Sequence, residues 1–225
     1  MKAKIFLLVS LIIIIMSSCK GRKNNFVKEI IQKESSVQKR QNAANVAYLS
    51  FISWKMMPDD YVRARDRLDR LLRDANGSIM FCGMRVKQGD ADAKYNAQRL
   101  SQMNICFDDY RAVLDGDASK DEYSALEQDF KLHNTKIAIL IDALSKRLGT
   151  PVTNNFDVNS VNMYENSQNL DKVLAEWKNA NTHAVLSYQT ELPSGKKGCI
   201  VKMRLQLSEA SVQHSDGNII FVHII

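Results

Sequence analysis

The chemistry available to this chain rests chiefly on four cysteines and four histidines. Cys199 stands among alternating apolar residues (Val201, Met203, Leu205), and His183 or His223 on a neighbouring strand would complete a thiol–imidazole pair of the kind that activates a cysteine nucleophile. The apolar company of Cys199 argues instead for a core thiol. His133 falls on the apolar stripe of a helical segment and reads as a core or interface residue. His214-Ser215-Asp216 has the residue types of a hydrolytic triad, but triads assemble from separate segments, so this contiguous run reads as a turn. Asp115, Asp117, Ser119 and Asp121 alternate as in a calcium loop. The sixth place, however, holds Lys120 where glycine is needed, and the twelfth holds Leu126, which removes the bidentate carboxylate. Zinc spacings such as CxxC or HxxxH do not occur, nor do GxSxG, HExxH or phosphate-binding glycine loops. No catalytic residue, metal ligand or cofactor is assigned from the sequence.

The one position with a defined chemical expectation is Cys19. Lys2 and Lys4 precede an apolar run from Ile5 to Met16, interrupted only by Ser10, and Met16-Ser17-Ser18-Cys19 follows. At about 1.5 Å per residue the run falls well short of the roughly 30 Å hydrocarbon core, so it reads as a signal-peptide segment rather than a spanning helix. The four residues resemble the lipobox of bacterial lipoproteins: a large apolar residue, two small ones, then cysteine. The resemblance covers residues 1–19 and implies a processing class. The Cys19 thiol receives a diacylglycerol, cleavage occurs just before it, and the new amino group is acylated with a palmitate-type chain. Several chains together give stable anchoring where one binds only marginally. By the same resemblance Lys20, rather than Asp, favours the outer membrane, with the protein facing the periplasm.

That compartment is oxidising, which permits a disulfide among Cys82, Cys106 and Cys199. The expected pair is Cys82–Cys106, closing a loop that would stabilise by roughly 3 kcal/mol if unstrained, with Cys199 left over in the core. The formal charge of +6 falls to near +4 once Lys2 and Lys4 are removed. Basic residues beside the anchor (Lys20, Arg22, Lys23, Lys28) could meet anionic headgroups at about 1 kcal/mol each at most. So modest an excess, at an extracytoplasmic address, argues against nucleic acid as a partner.

Periodicity supplies the elements that must hold these residues. Phe26 to Val37 carries a helical stripe, and Ala43 to Met57 continues it until Pro58. Tyr61, Ala64, Leu68, Leu71, Leu72 and Ala75 predict a second helix, capped by Asp59 or Asp60 and stopped at Asn76-Gly77, with i,i+4 charge pairs such as Arg65–Asp69 on its outer face. Residues 78–86 are ambiguous between helix and buried strand. The spacing of Ala93, Ala97, Leu100, Met103, Phe107, Tyr110 and Leu114 predicts a helix over 90–114. Ser119 and Glu122 form a capping box that opens the strongest helix, 120–148, ended by Gly149 and Pro151. It is expected to pair antiparallel with the helix before it. A last helix is expected over 161–179. The period then changes to two: His183–Leu192, Cys199–Leu207 and Asn218–Ile225 predict a three-stranded meander whose apolar face must be covered to be stable.

The expected fold is therefore α+β, mainly antiparallel helices in a hairpin or bundle, followed by a small C-terminal three-stranded antiparallel sheet. The expected organisation is a signal peptide at 1–18, a lipidated tether at 19–25, a helical region at 26–150, and a helix plus β tail at 151–225 packed on it. The expected function is that of a lipid-anchored envelope protein without catalytic activity. It would bind another envelope protein as a secretion or conjugation accessory, a plasmid-exclusion factor or an immunity protein. The alternative is a periplasmic hydrolase acting on cell wall or peptide, because carboxylate pairs leave no short signature.

Overall fold

The computed structural model describes residues 36–87, 93–114, 117–158, 172–191, 193, 197–213 and 219–221. Three helices form. Helix α1 is Ser36–Tyr48 and runs into a single 3-10 turn, Leu49–Phe51. Helix α2 is Pro58–Leu72. Here Pro58 opens the helix rather than ending the preceding one: its missing N–H falls where no helical partner exists, Met57 takes the cap position, and Asp59 and Asp60 complement the helix dipole in the first turn. The Arg65–Asp69 pair forms at 3.0 Å, and the Arg65 guanidinium also donates to the Asn104 carbonyl at 3.4 Å. Helix α3 is Lys120–Leu148. Its capping box closes as expected: Ser119 Oγ accepts from the Glu122 N–H at 3.3 Å, and the Glu122 carboxylate accepts from the Ser119 N–H at 2.7 Å. Gly149, at φ 92, ends it.

The other described elements are strands. A small hairpin pairs β1 (Met80–Phe81) with β2 (Met84–Arg85). The main sheet contains β3 (Ala93–Asn96), β4 (Arg99–Cys106), β5 (Tyr110–Leu114), β6 (Thr153–Asn154), β7 (Lys172–Lys178), β8 (Thr182–Glu191) and β9 (Lys197–Glu209). The order is β3-β4-β9-β8-β7-β6, antiparallel throughout, and β5 occupies the same side of β9 as β4. The thirteen residues of β9 are the spine: its first half pairs with β5 and its second with β4. Phe107, where β4 gives way to β5, donates to the Met203 carbonyl and bridges Val86, which ties the small hairpin to the sheet. Gly198 sits at φ 98, where a Cβ would lie 1.9 Å from the Ala112 carbonyl oxygen, so only glycine lets β5 approach. A separate two-stranded sheet joins β10 (Ser211–Gln213) to β11 (Ile219–Phe221).

This overturns the expected helical bundle with a three-stranded tail. The segment 90–114 is not a helix: 93–114 forms β3, β4 and β5. The residues that matched a helical spacing fall on three strands and a turn, with Ala97 in the β3–β4 turn itself. Strand β4 concealed its period because Leu100, Met103, Asn104 and Ile105 are all buried, as in a strand covered on both faces. Residues 172–178 of the expected last helix are β7, and residues 161–171 lie outside the described ones. Helix α3 therefore follows a strand, and its helical neighbour is α1. Strands β8 and β9 match the first two expected strands, but β11 pairs with β10 rather than with β9. The expected stripe over 26–35 lies outside the described residues.

A single core joins these layers. On one side of the sheet Ala184, Leu186 and Tyr188 of β8 stand opposite Leu207, Leu205 and Met203 of β9, and Trp177 stands opposite Ala184. All are buried with Ile137, Leu140, Ile141 and Leu144 of α3. The Trp177 indole N–H donates to Ser145 Oγ at 3.2 Å, fixing helix against sheet.

Candidate binding surface

Strand alternation sends the remaining side chains of β7, β8 and β9 to the opposite side of the sheet: Glu176, His183, Gln189, Lys202, Arg204 and Gln206. Two ion-pair groups mark this face. On β7 and β8, Glu176 holds Lys178 at 2.8 Å and His183 at 2.7 Å. Hydrogen bonding from Lys178, then from His183, keeps its carboxyl below the usual range. Glu191 and Lys202 pair across β8 and β9 at 2.6 Å, and Lys202 lowers the Glu191 pKa in the same way.

Near the second pair the face sinks into a pocket of about 190 Å³, lined by Lys87, Cys106, Asp109, Gln189, Lys202 and Arg204 among others. The register explains the gathering: Arg204 pairs with Cys106 on one side and Ser187 on the other, and Lys202 pairs with Gln189. The N–H of Lys87 donates to the Cys106 carbonyl at 2.9 Å, bringing a third cation alongside. Three cations and one carboxylate line the pocket, which therefore favours anionic or hydrogen-bond-accepting groups.

The sequence candidates are distributed differently. Cys199 is buried on β9 opposite Ala112. His183 pairs with Ser208, nine residues further along β9, or roughly 30 Å at strand rise, so the considered thiol–imidazole pair does not assemble. Cys199 instead neighbours Tyr110, which stacks on His133 with ring centroids 3.9 Å apart. Burial, with Asp129 and Cys199 nearby, raises the Tyr110 pKa, while burial and then Lys136 lower that of His133 to about 4. All three cysteines of the described chain are thiols. Cys82 lies in the β1–β2 turn with its Sγ 3.7 Å from the Asn42 carbonyl of α1, whereas Cys106 lines the pocket on the polar face, so the expected Cys82–Cys106 bond is not made in this structure. Cys19 and His223 lie outside the described residues. Among the described residues no three His, Cys, Asp or Glu converge as a metal site, and no helix is long and apolar enough to cross a membrane.

Of the pocket residues, Lys202 and Arg204 were legible in the sequence, as part of a polar strand face that continues to Gln206. Lys87, Cys106 and Asp109 were not, because they join the pocket only through the placement of β4 and the small hairpin beside β9. Fold and surface together define an α+β protein whose antiparallel sheet has one side sealed by core and, over β7, β8 and β9, one polar, pocketed side. No family model matches the chain, and neither does a curated protein or a solved structure.

Proposed function

We propose that this protein is a lipid-anchored component of a bacterial outer membrane, facing the periplasm, that acts without catalysis by binding another envelope protein through the polar side of its sheet. The observation that carries the binding surface is the pocket at Lys87, Cys106, Gln189, Lys202 and Arg204, set in a face where both charge signs are displayed. Such a mixed surface suits a polar partner with acidic groups, since charge complementarity sets orientation and encounter rate. The anchor rests on the resemblance of Met16-Ser17-Ser18-Cys19 to a lipobox.

The test is photo-crosslinking in living cells from an unnatural residue at Gln189, with Arg63 on the exposed face of α2 as control. One discrete crosslinked protein from Gln189, absent from Arg63, is the expected result. Identical patterns from both positions would refute the surface.

A further inference from the structure

A second cleft lies at the other end of β4 from this pocket. It has a volume of about 510 Å³, within the range of small-molecule sites, and is lined by Trp54, Lys55, Asn96, Arg99, Leu100 and Glu209. Three segments that are distant in sequence meet there: the loop after α1, the β3–β4 turn and the end of β9. Their meeting is fixed. The Trp54 indole N–H donates to the Asn181 carbonyl at 3.1 Å, and the Leu100 N–H donates to the Met56 carbonyl at 2.9 Å. Trp54 and Leu100 lie beneath the cleft and are buried in the core, so its base does not need to be built on binding.

The turn at its rim is held in an unfavourable form. Asn96 pairs with Arg99, and the two residues between them, Ala97 and Gln98, have φ of 48 and 62. A two-residue hairpin turn of this hand usually carries Asn-Gly, because non-glycine residues seldom occupy the left-handed region. Backbone held this way concentrates at ligand-binding sites, where the surrounding structure enforces it. Here it places Arg99 at the cleft, where Lys55 adds a second cation. Glu209 is the one acidic lining residue. Burial raises its pKa while Arg99 pulls the other way, so an arriving ammonium group would favour its ionised form.

We propose that this cleft binds a small zwitterion of the amino-acid type: a carboxylate held by Arg99 and Lys55, and an amine held by Glu209. The site is separate from the polar sheet face, and its occupancy does not depend on the protein-binding role.

The test uses three probes with one apolar body: L-phenylalanine, N-acetyl-L-phenylalanine and L-phenylalaninamide. Each is titrated into the detergent-solubilised full chain and followed by saturation-transfer NMR. L-Phenylalanine is expected to bind best, and loss of the carboxylate in the amide is expected to weaken binding about tenfold, the worth of one charge-assisted contact. Arg99→Ala, at an exposed turn position, should weaken both carboxylates by a similar factor with the circular dichroism unchanged. Glu209→Gln should bring L-phenylalanine down to the level of its N-acetyl form. Absence of saturable binding up to about 10 mM, equal binding of the amide, or indifference to Arg99→Ala would overturn the proposal. An unchanged preference in Glu209→Gln would overturn its amine contact.

Discussion

Burial against Tyr110 keeps the His133 imidazole neutral, and this has a consequence for stability. The pKa of His133 is about 4 in the folded protein against 6.5 in an unfolded chain. The causes are desolvation first, then Lys136, opposed by Asp129. As pH falls below 6.5 the unfolded chain takes up a proton that the folded one refuses until about pH 4. Folding is therefore progressively disfavoured across that window, by up to about 3 kcal/mol once both states are protonated. His133→Phe preserves a flat ring against Tyr110 and removes the titration. Urea midpoints at pH 7 and pH 4.5 should show the wild type losing more stability than this variant. Parallel losses would mean that His133 takes up its proton at its ordinary pKa. Nothing in the sequence announced this environment. The helical stripe placed His133 inward, but the stacking partner comes from β5, a strand hidden within a segment that reads as helix.

Among the elements, β9 carries the greatest burden, and its two faces make opposite predictions. Leu205 is fully buried between Leu186 of β8 and Ile105 of β4. Leu205→Ala should cost roughly 2–5 kcal/mol, transfer plus cavity. Lys202, on the other face and half exposed, makes one surface ion pair and should tolerate alanine within about 1 kcal/mol. Chemical denaturation of both variants checks the contrast, and equal small losses would mean that the sheet is not the core. The β5 junction is tested by Gly198→Ala. Its Cβ would collide with the Ala112 carbonyl oxygen at a backbone angle that alanine avoids, so β5 must detach or shift, and the lowest-stability amides in hydrogen exchange should appear in residues 110–114. Unchanged protection there would show that the strand accommodates the methyl group. These are register effects. The alternation of residues 199–207 was readable in the sequence, but the residues standing opposite them on β4 and β5 were not.

For the whole molecule, the proposed lipid anchor would govern where any binding surface can act. Cys19→Ser removes the only thiol in the resemblance to a lipobox. The variant should lose incorporation of an alkyne fatty acid in growing cells and move from the membrane fraction, while a Lys20→Asp variant should keep its label but shift from outer to inner membrane. Label retained in Cys19→Ser would refute lipidation at this site. The basic run from Lys20 to Lys28 would add at most a salt-sensitive supplement to such an anchor.

Taken alone, the sequence determined what is local. It specified the capping box at Ser119 and Glu122, the full extent of α3, the body of α2 with its Arg65–Asp69 pair though neither its start at Pro58 nor its end at Leu72, and strands β8 and β9 with their polar and apolar sides. Each depends on residues within a few positions of one another, where hydrogen bonding and a single buried face leave a periodic trace. Tertiary structure decided the rest. Strand β4 is buried on both sides and so shows no alternation. Strand β7, Lys172–Lys178, matched a helical spacing as well as a strand one, until pairing with β8 satisfied its backbone groups. The polar pocket and the cleft at Arg99 each gather residues from segments tens of positions apart. Their geometry follows from which strand lies beside β9, a choice made by burial of the whole core rather than by any short stretch of the chain.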